Sequence, residues 1–127
     1  MVQFDHIEIH VKNSYNYVLF LKKLFPISRL KKISDNLTYM FLTGDGLRFE
    51  IKENKKFEYI FDTATNIGFC LPCLRMEEAM QHIESIREVK IFKIIENPDG
   101  PCIFFKDHEG IDWHIKDYKN LDIYTNI

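Results

Sequence analysis

Two short patterns each occur twice in this chain, and their spacing constrains its fold more than any other feature. "DHIEIHV" at 5–11 lies over "TNIGFCL" at 65–71 with an offset of 60 residues. "DGLRFEI" at 45–51 lies over "EGIDWHI" at 109–115 with an offset of 64. The apolar positions stay in register in both pairs. Ile7, Ile9 and Val11 map to Ile67, Phe69 and Leu71, while Leu47, Phe49 and Ile51 map to Ile111, Trp113 and Ile115. The turn glycines also coincide, Gly46 with Gly110. Letter identity is low, so the repeat is one of pattern. A period near 60 is longer than common solenoid units and points to a paired module.

The segments between these windows complete each copy. Alternation over 2–11 predicts a strand. Asn13 or Ser14 can cap a helix over about 14–25, whose stripe is Val18, Leu21, Leu24 and Phe25, and Pro26 ends it. Strands are predicted at about 28–34, 37–43 and 47–52, separated by Asp35-Asn36 and Gly44-Asp45-Gly46. Residues 53–64 read as a connection, with room for a short strand around Phe57–Phe61. A strand at about 66–71 then precedes a helix at about 75–88. Met76, Ala79, Met80, Ile83 and Ile86 recur there at helical spacing. Further strands fall near 90–96, 102–106 and 111–116, the first two joined by Asn97-Pro98-Asp99-Gly100. The order is βαβββ twice, which excludes a ferredoxin-like βαββαβ arrangement. The expected division is one domain over 1–127: a first module at about 1–53, a connection at 54–64, a second module at 65–118 and a tail at 119–127.

Period-2 alternation sorts each strand into two faces. If helices cover the apolar face, the other carries His6, Glu8 and His10; Arg48, Glu50 and Lys52; Asn66 and Cys70; and Asp112 and His114. A sheet curled around that face gathers them in a cleft; a flat sheet leaves them in water.

Charge and composition narrow the partners. A net charge of −2 supplies no basic field for nucleic acid and no polybasic patch for a membrane. No apolar run approaches the ~20 residues of a spanning helix. The charged, alternating N-terminus is unlike a signal peptide, so a cytoplasmic location is expected. Three cysteines, an odd number, fit a reducing compartment better than a disulfide framework. The "CLPC" at 70–73 has the spacing of a redox pair. The repeat, however, puts Cys70 inside a strand, where three extended residues span ~10 Å, beyond disulfide reach.

With this order in place, "DHIEIHVKN" and "NPDGPCIFFKDHEGIDWHI" resemble the opening strand and closing hairpin of the vicinal oxygen chelate superfamily. That superfamily includes glyoxalase I, bleomycin-resistance proteins and extradiol dioxygenases. The resemblance runs from Phe4 to about Tyr118. "DHEG" stands where the family has a "DP(D/E)G" turn, with His108 in the proline's place. It implies an α+β fold in which two βαβββ modules form a curved, mixed, mostly antiparallel sheet around a cleft, with helices on the outer face. It also implies a homodimer binding a small molecule.

The family's metal site takes His, Glu, His or Gln, and Glu from the first and last strand of each module. Carried over, these positions are His6, Glu50, Asn66 and His114. Asn66 and His114 depart from the pattern. The implied ligands are His6, Glu50 and His114, a set suited to Zn, Ni, Mn or Fe, with Asn66 better placed as a substrate hydrogen-bonder. Glyoxalase-like chemistry needs a carboxylate to move a proton at carbon. Glu50 is the carboxylate at a matched position; if it binds the metal, the base must come from elsewhere, and Glu8 and Asp112 share its face. Asn66, Arg48, Cys70, Asp112 and Glu8 are the candidate substrate contacts. Two readings follow: a metal-dependent lyase, isomerase or dioxygenase acting on a small oxygen-rich molecule, or a metal-free, drug-binding protein of the bleomycin-resistance type. In the bland reading, Glu50 is a surface ion pair with Lys52 or Arg48.

Overall fold

The alternating and helical patterns become ten elements in a computed structural model that describes residues 2–34, 37–56, 67–70, 76–97 and 100–116. In chain order they are β1 (Ile7–Val11), α1 (Ser14–Leu24), β2 (Ser28–Ser34), β3 (Thr38–Thr43), β4 (Arg48–Glu53), β5 (Ile67–Cys70), α2 (Met76–Glu84), β6 (Lys90–Asn97), β7 (Gly100–Lys106) and β8 (Asp112–Lys116). This is an α+β fold built of two βαβββ units. The extra strand around Phe57–Phe61, the Pro98-Asp99 turn, Asn66, Cys73 and the tail lie outside the described residues. The chain divides into two compact units, Met1–Glu58 and Tyr59–Ile127.

Each unit forms its own four-stranded sheet, in the order β1-β4-β3-β2 and β5-β8-β7-β6. The first and last strands of a unit pair in parallel, and the other pairings are antiparallel. The registers give the repeat a structural form. Ile7 lies beside Phe49 and Glu8 beside Glu50. In the second unit Ile67 lies beside Trp113 and Gly68 beside His114. The offsets of 60 and 64 therefore meet in one shared register.

The turn before each last strand repeats down to its backbone hydrogen bonds. The N–H of Thr43 donates to Leu47 O at 2.9 Å, and that of Asp107 to Ile111 O at 3.1 Å. Gly46 N–H donates to Thr43 O and Gly110 N–H to Asp107 O, both at 3.0 Å. The two glycines adopt φ +96° and +90°, in the left-handed region that side chains with a Cβ disfavour.

Helix α1 starts where the Asn13 side chain accepts the Asn16 N–H at 2.9 Å and the Glu53 carboxylate accepts the Ser14 N–H at 3.2 Å. Val18, Leu21 and Leu24 are fully buried, as are Tyr17 and Phe20. They pack towards β1, β3 and β4, where Val11, Phe41, Phe49 and Ile51 are buried. Burial of each such side chain contributes roughly 1.5–3 kcal/mol. In the second unit Ala79, Ile103 and Ile115 form a cluster, with Met76, Met80 and Ile91 packed against it.

Two boundaries differ most from the sequence reading. Strand β1 begins at Ile7 rather than residue 2, because its neighbour β4 begins only at Arg48, after the Gly46 turn. Helix α2 ends at Glu84 rather than near 88. There Ser85 Oγ donates to His82 O at 2.6 Å, and the Ile86 N–H reaches back three residues to Ile83 O, tightening the chain out of the α-helix. No described helix is long and apolar enough to cross a membrane.

Candidate metal centre on the first module

Strand alternation sends Ile9 and Val11 into the core, and Glu8 and His10 to the opposite face. On β4 it buries Phe49 and Ile51 and turns Arg48, Glu50 and Lys52 outward. Because Glu8 and Glu50 are register partners on parallel neighbours, two carboxylates sit side by side on one face. Like charges placed directly opposite each other are destabilising unless a cation joins them.

Three basic side chains join them. Lys52 Nζ lies 2.9 Å from Glu8 Oε1 and 3.3 Å from Glu50 Oε1. His10 Nε2 lies 2.8 Å from Glu8 Oε2. His6 Nε2 lies 3.3 Å from Glu50 Oε2, and its Nδ1 lies 2.6 Å from Asp5 Oδ2. Arg48 donates to the other Asp5 oxygen at 3.2 Å. Hydrogen bonds from His10 and then Lys52 hold the Glu8 carboxyl down at about 2. The hydrogen bond to Asp5 raises the His6 imidazole above its ordinary value, and the Glu50 charge adds to the effect. Glu8 and Glu50 together raise Lys52.

His6, Glu8 and Glu50 form a group in which one ligand atom from each lies within 4.8 Å of the others. Two donors each ~2.1 Å from a common ion stand roughly 3.0–3.4 Å apart. The 3.3 Å between His6 Nε2 and Glu50 Oε2 falls in that range. A carboxylate on Nδ1 with Nε2 aimed at the ligand group is the arrangement that fixes the orientation of metal-binding histidines. The donor set, one imidazole and two carboxylates, suits Mn, Fe, Ni or Zn. A divalent ion held there supplies Lewis acidity towards a bound oxygen. The same geometry also contains the bland reading, since Glu50 does pair with Lys52.

Arg48 is engaged with Asp5. His114 lies on β8 as the register counterpart of Glu50, half-buried, its ring stacked on Phe104 at 5.2 Å and 28°. Burial, and secondarily the Lys116 charge, lowers its imidazole below the ordinary value. Asp112 forms an ion pair with Lys106. Cys70 pairs through its backbone with Lys116, and Asn66 lies outside the described residues. Sequence reasoning missed Asp5. It directly precedes His6, but only the folded geometry shows its carboxylate turned onto the imidazole.

No family model matches the chain, and no curated protein does. Solved structures do. A mutant of the FosX fosfomycin resistance protein of Listeria monocytogenes, complexed with Mn(II) and 1S,2S-dihydroxypropylphosphonic acid, superposes with a TM-score of 0.74. It is 19% identical, over 94% of this chain and 96% of that one. FosX from Mesorhizobium loti gives 0.71 at 15% identity, over 92% of each chain. A possible glyoxalase from Bacillus cereus gives 0.70 at 14% identity, over 91% of this chain and 99% of that one. These neighbours are members of the vicinal oxygen chelate superfamily, and the chain has their fold.

Proposed function

We propose that this protein binds a divalent metal ion through His6, Glu50 and His114, with Glu8 as a further carboxylate, and modifies a small oxygen-rich molecule. The observation that carries the proposal is the 3.3 Å approach of His6 Nε2 to Glu50 Oε2, with Asp5 holding Nδ1 and Glu8 in the same group. His114 stands in the proposal as the register counterpart of Glu50, a position the family resemblance assigns to a ligand. The Mn(II) bound to the Listeria neighbour supports a divalent ion. Its dihydroxylated phosphonate exemplifies the substrate class: a small molecule with adjacent oxygens able to chelate the ion. Asn66, Arg48, Cys70 and Asp112 are the proposed substrate contacts.

Glu50 is the proposed catalytic carboxylate for a lyase or isomerase reaction. Glu8, engaged by His10 and Lys52, is proposed as a ligand. Dioxygenase chemistry uses the same residue types and stands second among the reactions. A homodimer belongs to the same proposal and is checked by light scattering on the purified chain.

The deciding experiment is metal analysis of untagged protein, for wild type and for His6→Ala and Glu50→Gln. Near-stoichiometric Mn, Fe, Ni or Zn in the wild type, reduced in both variants, is expected. Substoichiometric metal that no added ion restores would sink the metal reading. It would leave the metal-free ligand-binding alternative, which one observation favours: Lys52 already bridges both carboxylates.

A further inference from the structure

The side-by-side placement of Glu8 and Glu50 creates a demand for positive charge that is independent of any ligand. In this structure Lys52 meets that demand. It stands two residues beyond Glu50 on β4, hence on the same face. It is the register partner of His10, and its ammonium bridges one oxygen of each carboxylate. The other oxygens, Oε2 of both residues, face the two histidines. A metal ion bound by His6, Glu8 and Glu50 would draw on the same two negative charges. The lysine and the ion are therefore alternative answers to one electrostatic problem. The second unit repeats the placement, with Lys116 two residues beyond His114 on β8 and paired with Cys70 as Lys52 is with His10.

We propose that Lys52 is an internal counter-cation that competes with the metal at the His6–Glu8–Glu50 group and sets its affinity. The inference rests on the metal reading above and adds to it a residue that tunes occupancy without being a ligand. With Lys52 swung onto the carboxylates, one of the group's two negative charges is offset. When an ion enters, the ammonium gives up both contacts, and its charge becomes free for an anionic group of the substrate.

The test is titration of metal-free protein with Mn(II) and with Zn(II), comparing wild type, Lys52→Met, Lys52→Arg and Lys32→Met. Lys32 is an exposed lysine on β2, at the opposite edge of the same sheet from β1, and controls for a diffuse change in net charge. Lys52→Met is expected to bind roughly tenfold more tightly than wild type. That is the scale of a unit charge removed from beside a divalent one across a few ångströms of water-like dielectric. Lys52→Arg and Lys32→Met should stay close to wild type, and the gain in Lys52→Met should shrink as salt is raised towards ~1 M. Equal or weaker binding by Lys52→Met overturns the inference, as does an equal gain in Lys32→Met. Absence of binding by wild type and all variants overturns the inference together with the metal reading. Binding by wild type with no gain in Lys52→Met overturns the inference alone.

Discussion

The carboxylate of Asp107 accepts the indole N–H of Trp113 at 2.9 Å, six residues further along the chain. Its other oxygen accepts the backbone N–H groups of Glu109 and Ile111 at 2.9 and 3.0 Å. Asp107 is 5% exposed and Trp113 fully buried, so three donors and one charge are satisfied together out of water. Asp107→Ala leaves those donors without their acceptor and should cost roughly 2–4 kcal/mol in denaturant unfolding. Thr43 occupies the same place in the first unit, where its uncharged hydroxyl accepts the Leu47 N–H at 3.0 Å and donates to the exposed-turn carboxylate of Asp45. Thr43→Ala should therefore cost about 1 kcal/mol. Comparable losses in the two variants would show that the carboxylate adds nothing beyond a hydroxyl.

Gly46 and Gly110 offer a cleaner measurement of backbone strain. A Cβ built on either glycine meets no atom within 4 Å, yet both hold φ near +90°. Alanine at either site should thus destabilise through conformation alone, by about 1 kcal/mol and nearly equally. Asparagine, which tolerates the left-handed region better, should recover part of the loss. A neutral Gly110→Ala would mean the turn relaxes to negative φ.

At the candidate metal centre, the contact between Asp5 and His6 links metal and proton. The hydrogen bond to Asp5 raises the imidazole, so near neutral pH a larger fraction of His6 carries a proton that a metal must displace. Affinity should accordingly rise with pH until His6 has titrated. Calorimetry in buffers of different ionisation enthalpy should detect proton release near pH 6.5. Asp5→Ala removes both the proton's partner and the support that orients Nε2. It should lower affinity roughly 10–100-fold while reducing proton release. Unchanged affinity in Asp5→Ala would make the contact incidental.

The sequence carried the period of each strand and helix, and with it the faces. Alternation alone put Glu8, Glu50 and Lys52 on one face of their strands, but that 8 meets 50 as 68 meets 114 is set by the strand pairing. The stripe of Val18, Leu21, Leu24 and Phe25 along α1 leaves out Tyr17 and Phe20, yet both are buried. The partners of Asp5 and Lys52 depend on rotamers and on which charges lie nearest, and neither is encoded in period. The role of Asp107 was hidden for a different reason. An acidic residue in a turn ordinarily faces water, and only the fully buried Trp113 beneath it reverses that expectation.

His6 and His114 should titrate on opposite sides of the ordinary histidine value in metal-free protein. His6 is raised by Asp5 and Glu50. His114, half-buried against Phe104, is lowered by burial and by Lys116. The two shifts act on stability with opposite signs. For His6 the folded state holds its proton more tightly. Its contribution is complete below the unfolded value of 6.5 and is lost as pH rises through the higher folded value. For His114 the unfolded chain takes the proton first. The contribution of its neutral ring is complete above 6.5 and is lost as pH falls from there towards the lower folded value. Histidine ring resonances followed by NMR in the presence of chelator should give His6 the higher midpoint. Denaturant unfolding of His114→Gln should lose less stability between about pH 7 and pH 5 than wild type, and His6→Gln should lose more. A reversed order of the two midpoints would mean that His6 is not held by Asp5 or that His114 lies open to water.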